Sequence, residues 1–168
     1  MSKQSISFIF ILWLVAISQQ AFSGDSVSVT THSLNTKMAM KLALETYQDC
    51  SSKGYNVAVA VVNREGRLLS FLRHPLAGIH TIDVSQGKAY TASTFKASTA
   101  QLAERQYMRE IPGAMTWGGG RPINIGGIFY GAVGVAGAPA RAVPGDVDDE
   151  CAEQGIKAVT EAIEFADE

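Results

Sequence analysis

The hydrophobic positions of this chain change their spacing several times, and each spacing predicts a different element. Leu34, Met38 and Leu42 recur every four residues beside Ala39, Ala43 and Tyr47, which predicts an amphipathic helix with one face on a core. Asn35 suits its N-terminal cap, and Gly54 stands where a left-handed stop is wanted. From Asn56 to Val62 the residues NVAVAVV are almost continuously apolar and rich in β-branched side chains, as in a central strand covered on both faces. Asn63-Arg64-Glu65-Gly66 has turn chemistry. Arg67 to Arg73 then resumes with Leu68, Leu69, Phe71 and Leu72 while keeping Arg67, Ser70 and Arg73 for solvent, which completes a β-hairpin.

Pro75 and Gly78 interrupt the pattern, and Thr81 to about Ala103 returns to helical spacing, in one piece or two, with Ile82, Ala89, Ala92 and Phe95 suggesting a face. Gly87 inside it predicts a kink or a very close contact. Tyr107 to Trp117 reads as a surface loop, but Met108, Ile111, Met115 and Trp117 make it apolar enough to be a pocket lid or subunit contact. The run from Gly118 to Ala140 is dominated by Gly, Ala and β-branched residues. It predicts strands at Arg121 to Ile125 and Ile128 to Gly137 joined by Gly126-Gly127. Gly131, Gly134 and Gly137 bring that backbone close either to packed helices or to a flat ligand. Asp146 to Phe165 forms a last helix, with Ala152, Ile156, Val159, Ala162 and Ile163 as its buried stripe. This order predicts an α+β fold: an antiparallel sheet with the two terminal helices on a common face.

The first residues change the picture of where the protein works. Lys3, the apolar run Ile6 to Ile17 and the small-x-small triplet Ala21-Phe22-Ser23 predict a secretory signal peptide over residues 1–23, too short in its apolar part to span a bilayer. Gly24 to Ser33 is polar and aperiodic, an exposed lead-in carrying His32, and residues 34–168 form one domain. No lipobox cysteine follows the cleavage site, so the expected address is periplasmic or extracellular without membrane insertion. Loss of Lys3 takes the formal net charge of −2 to −3. With no basic stripe, this excludes nucleic acid as the expected partner. Asp146, Asp148, Asp149 and Glu150 are read as favourable charges in the first turn of a helix. Cys50 and Cys151 both fall in the exported part and outside any CxxC or Cys/His cluster, leaving open a single disulfide between the terminal helices or two buried thiols.

Candidate chemistry is sparse. His74 and His80 flank the break after the hairpin, with Arg73 before them and Asp83 one turn beyond His80. Imidazoles can ligate haem iron or a divalent metal, and a carboxylate can orient them or add a ligand, so His74, His80 and Asp83 are the candidate metal set. Lys88 and Thr91 share a helix face and form a candidate cradle for a propionate or small organic acid. Gly120 is followed by Arg121-Pro122 rather than Lys-Ser or Lys-Thr, which argues against a phosphate loop. No GxSxG elbow supports a hydrolase.

These residues together give the chain a family likeness. It resembles the GlcG/HbpS-like haem-binding proteins, also called haem-degrading or DUF336 domains, which are related to the C-terminal domain of PduO-type proteins. The resemblance spans about Leu34 to Ala158 and rests on VAVAVVNREGRLLSFLR, KAYTASTF, GGGRPI, GIFYGAVGVAGA and DDECAEQG. It implies a profilin-like antiparallel sheet flanked by helices, assembly into homo-oligomers and, in exported members, binding of haem or iron in oxidative-stress sensing. It carries over Lys88 and Thr91 from the KAYTA segment and Gly131 and Gly134 from the glycine-rich strand. His74 stands where related chains usually have a small or acidic residue, and the loop between Ala138 and Asp148 is longer than usual. Two functions follow as expectations. In the first, the 108–117 loop and the glycine-rich strand receive a porphyrin, His74, His80 or Thr91 meets the iron, and Lys88, Arg73 and Arg121 hold the propionates. In the second, an enzyme acts on a small hydroxy- or oxo-acid, held by Lys88 and Arg121, with a histidine as general base. The bland alternative is a scaffold whose strands and loop only make oligomer contacts.

Overall fold

The computed structural model describes residues 27–165, so the predicted signal peptide lies outside the described residues. The compact unit that carries the hairpins and helices begins at Thr31. Helix α1 spans Thr36–Ser52, and Asn35 caps it by accepting from the Met38 N–H at 2.9 Å. At the far end Gly54 has φ +83°, the left-handed stop expected there. Strands β1 (Ala58–Val62) and β2 (Leu68–Arg73) form the first hairpin, and β3 (Gly120–Ile125) and β4 (Ile128–Ala136) the second. Between the hairpins lie α2 (Thr81–Phe95), the short α3 (Thr99–Ala103) and a 3-10 turn over Gln106–Glu110. Helix α4 (Asp146–Glu164) ends the fold.

The four strands form one antiparallel sheet in the order β2-β1-β4-β3. Both hairpins therefore contribute one central and one edge strand, and β1 pairs with β4 from Ala58↔Ala136 to Val62↔Ala132. Strand β1 is buried at every residue because its two faces serve two cores. Val57, Val59 and Val61 point with Val133, Val135 and Ile123 toward α1 and α4. Ala60 and Val62 point with Ala132 toward Ala89 and Ala92 of α2. The small residues on this second face let α2 lie almost on the backbone.

Helices α1 and α4 cover the same face, as the order of elements predicts, and run antiparallel. Thr46 lies against Gly155, and one turn away Cys50 is joined to Cys151 by a disulfide. The resulting arrangement is a profilin-like α+β sandwich: two helices, sheet, one helix. The middle helical stretch, expected in one piece or two, is two helices. Lys96 at φ 51° ends α2, and Ser98 opens α3 with a capping box in which its hydroxyl accepts from Gln101 N and the Gln101 side chain accepts from Ser98 N. The predicted surface loop from Tyr107 to Trp117 is only partly exposed, since Met108 is buried and Met115 lies against Gly87 of α2. Gly87 thus answers to a close contact.

Gly134 shows how tight the second layer is. A Cβ there would overlap the Ser85 carbonyl oxygen and lie 2.6 Å from Ala89 N, both on α2. Gly134→Ala is expected to lower the unfolding free energy by roughly 1–3 kcal/mol through overpacking, read as a fall in the urea midpoint. An unchanged midpoint would mean that α2 backs away without cost.

Candidate functional site

The break between β2 and α2 is built by Arg73. Its guanidinium donates to the carbonyl oxygens of His74 (3.1 Å), Pro75 (3.3 Å) and Ala77 (2.6 Å), so this cation staples the loop and is not turned toward a ligand. The His74 ring stacks on Tyr47 of α1 with centroids 6.4 Å apart, and its Nδ1 accepts from Leu76 N at 3.1 Å. An Nδ1 that accepts leaves the neutral ring's proton on Nε2, whereas a ligating imidazole offers one bare nitrogen and donates from the other. His74 is therefore held in the tautomer that withholds Nε2 from a metal. His80 is exposed at the start of α2, makes no capping hydrogen bond and keeps its ring over Gly78. Asp83 is exposed in the first turn of the same helix. Among the described residues no three His, Cys, Asp or Glu side chains gather as a metal site, so His74, His80 and Asp83 are not brought together.

Lys88 and Thr91 are placed differently from a ligand cradle. Lys88 is 2% exposed. Its Nζ donates to Asp148 Oδ2 at 2.8 Å and to the Val135 carbonyl at 2.9 Å, so the amine expected to hold a ligand's carboxylate holds a carboxylate of the protein. Thr91 is fully buried, donating to Gly87 O at 2.7 Å and accepting from Met115 N at 2.9 Å. Both side chains are spent on packing α2 against its neighbours, Lys88 reaching β4 and α4 and Thr91 reaching the Met115 N–H. The glycine-rich strand is also closed to a ligand: Gly134 faces α2, and a Cβ on Gly131 would overlap the Val62 carbonyl oxygen and lie 2.9 Å from Asn63 C.

The acidic turn at the head of α4 has three separate tasks rather than one. Asp146 accepts from Arg141, Ala142, Val143 and Val147 N–H groups, which hold its carboxyl down at about 2 and pin the long loop before the helix. Asp148 takes Lys88 on one oxygen and Ala138 N at 3.0 Å on the other. Burial pushes its pKa up, and Lys88 and the Ala138 N–H partly offset that. Asp149 pairs with Arg121 at 2.6 Å, and Arg121 also meets Glu153 at 3.2 Å. Arg121 is thus committed to α4, and the small-acid enzyme reading loses both of its proposed carboxylate holders.

Among the concavities of the described residues, one of about 540 Å³ is lined by Arg121, Asp149 and Glu153, and two others are larger. One of about 690 Å³ lies between α3, the 116–118 segment and the head of α4, lined by Trp117, Val143, Arg109 and the carboxylates Glu104, Asp146 and Glu150. The other, about 990 Å³, runs between α1 and the edge strand β2. Its walls are Met38, Met40, Leu44, Phe71 and Leu72, with Lys37 and Lys41 at its side. Met40 is 59% and Leu44 45% exposed. The sequence reading missed this row because it follows the buried stripe of α1. The signal was there in two apolar residues four apart that lie off that stripe.

Residues 34–157, from the capped start of α1 into α4, match the family described as haem degrading protein, HbpS-like. The chain belongs to that family. HbpS of Streptomyces reticuli, solved as a double variant, is 34% identical and superposes with a TM-score of 0.72 over 81% of this chain and 92% of its own. Two further structures share the fold at lower identity. ORFY of Klebsiella pneumoniae, a DUF336 protein, is 21% identical with a TM-score of 0.72 over 79% of this chain and 94% of its own. A PduOC:haem complex is 22% identical with a TM-score of 0.66 over 75% and 94%. No curated protein matches the chain significantly. This member of the HbpS-like family shares the fold of those structures, and its KAYTA lysine and Gly134 serve the packing of α2.

Proposed function

We propose that this HbpS-like chain is an exported haem-binding protein. The observation that carries the reading is the family match over 34–157, joined to 34% identity with HbpS. The residues present fit the group. Haem iron takes imidazole or thioether donors, and the described residues offer the thioethers of Met38 and Met40 beside an open apolar wall. Bound haem would supply a redox-active iron centre; the chain's part is to wall the porphyrin from water, neutralise its carboxylates and present one donor. Export is supported by the N-terminal apolar run and by the Cys50–Cys151 disulfide, a bond that persists in oxidising compartments. No helix among the described residues is long and apolar enough to cross a membrane. Assembly into a homo-oligomer belongs to the same reading, supported by exposed Leu76, Ile79 and Trp117.

Haemin titrated into the chain from Gly24 onward is expected to give a saturable Soret shift at about one haem per chain. His74→Ala is expected to leave that spectrum in place, because the ring is held in the wrong tautomer. A spectrum that stays that of free haemin throughout the titration would remove the haem reading, and thermal stabilisation by small carboxylic acids would be the next measurement.

A further inference from the structure

Haem is a flat apolar disc with two carboxylates on one edge, so its site needs an apolar wall, adjoining cations and a donor for the iron. The groove between α1 and β2 holds all three. Met40 and Leu44 are one helical turn apart and project from the same side of α1. Their exposure is unusual, since the buried stripe of this helix is formed by Ala39, Leu42, Ala43 and Thr46. Leu72 of β2 supplies the facing wall, and Phe71, which packs on the other face of the sheet, lies at its edge. Lys37 and Lys41 repeat at the same interval as Met40 and Leu44, each three residues before one of them, so the two amines flank the apolar row. Neither lysine has an ion-pair partner among the described residues, whereas Lys53, Lys88 and Lys157 all do. Two unpaired cations beside an exposed apolar row complement a flat dianion.

Resting on the haem reading above, we propose that the porphyrin lies in this groove, with its propionates on Lys37 and Lys41 and the Met40 sulfur donating its lone pair to the iron. The assignment differs from the haem site expected from the sequence, which placed the porphyrin on the 108–117 loop and the glycine-rich strand and the iron on His74, His80 or Thr91. The groove is also large enough: about 990 Å³, at the upper end of the range for small-molecule sites, about 300–1,000 Å³.

The test is haemin titration of the chain from Gly24 as the parent and as four variants, with thermal unfolding of each to confirm the fold. Lys37→Glu with Lys41→Glu is expected to weaken binding at least about tenfold, since it converts two favourable surface pairs into repulsions. Lys37→Arg with Lys41→Arg is expected to restore it. Met40→Leu keeps the apolar wall and removes the sulfur, so the haem is retained but the thioether-to-iron charge-transfer band is lost. His80→Ala is expected to change neither affinity nor spectrum. If the parent binds haemin and the double Glu variant binds equally well, or if His80→Ala removes the ligand signature, the groove assignment falls and the haem reading stands. If the double Glu variant instead changes the oligomer mass while haem binding is intact, the groove is a contact between copies. If the parent itself binds no haemin, both fall together.

Discussion

Lys88→Met is expected to lower the unfolding free energy by roughly 3–5 kcal/mol, because it leaves the Asp148 carboxylate buried without its cation. Lys88 and Asp148 are 2% and 3% exposed, and their bond spans 60 residues of sequence. The pair ties α2 to the end of β4, through the Val135 carbonyl, and to the first turn of α4. The pH dependence carries the sign of the effect. Burial raises the Asp148 pKa above its ordinary carboxylate value even with Lys88 present, and removing Lys88 takes away two of the influences that lower it. A group whose folded-state pKa is raised adds stability below its unfolded pKa and loses it as pH climbs through the folded value. The variant's deficit should therefore shrink at acid pH, where the carboxyl is protonated, and grow toward neutrality. Urea unfolding at acid and neutral pH measures this directly. Lys88→Met with Asp148→Asn should recover part of the loss at neutral pH, and a deficit that is the same at both pH values and in the double variant would show that lost packing, not the orphaned charge, is the cause.

Opening the disulfide is the second large effect. Cys50 and Cys151 are separated by 101 residues, and in the chain-entropy account a loop of that length is worth on the order of 4–5 kcal/mol. The loop encloses both hairpins and all of α2, so the bond constrains most of the unfolded chain. Cys50→Ala with Cys151→Ala is expected to reduce the unfolding free energy by about that amount and to steepen the denaturant slope, because the open unfolded chain exposes more surface. The unmutated protein unfolded with and without a thiol reductant provides the same comparison. If reduction leaves the midpoint where it was, the close crossing of α1 and α4 at Thr46 and Gly155 holds the helices without the bond.

Most of the fold was legible because most of its elements are specified by neighbours in sequence. The alternation around Asn63 to Gly66 predicts a hairpin, and Asn63 does close it, its side chain accepting from Glu65 N and Arg67 N. Gly126 and Gly127 both take positive φ, as a tight turn between strands requires. The break in the middle helix could have been placed as well, since Ser98 and Gln101 have the spacing of a capping box. The site was less legible. Lys88 on a helix reads as a cation for a ligand until Asp148 is known to reach it, and nothing local to either residue announces the other. Asp146, Asp148, Asp149 and Glu150 have one shared explanation in sequence, the helix dipole, and four different partners in space: the backbone of the preceding loop, Lys88, Arg121 and Arg141.

The chain's own patterning determined which segments are strands and helices, that β1 is covered on both faces, and that the terminal helices share a side, because periodicity and turn chemistry act over a few residues. Tertiary structure decided everything that depends on who faces whom. It turned Lys88 and Thr91 into packing groups, closed Gly131 and Gly134 against backbone, and committed Arg73 and Arg121 to loop and helix. It also left Met40, Leu44, Lys37 and Lys41 together at an open groove. The physical reason is distance along the chain: a buried charge or a close backbone contact is settled by a partner tens of residues away, and only folding brings that partner into range.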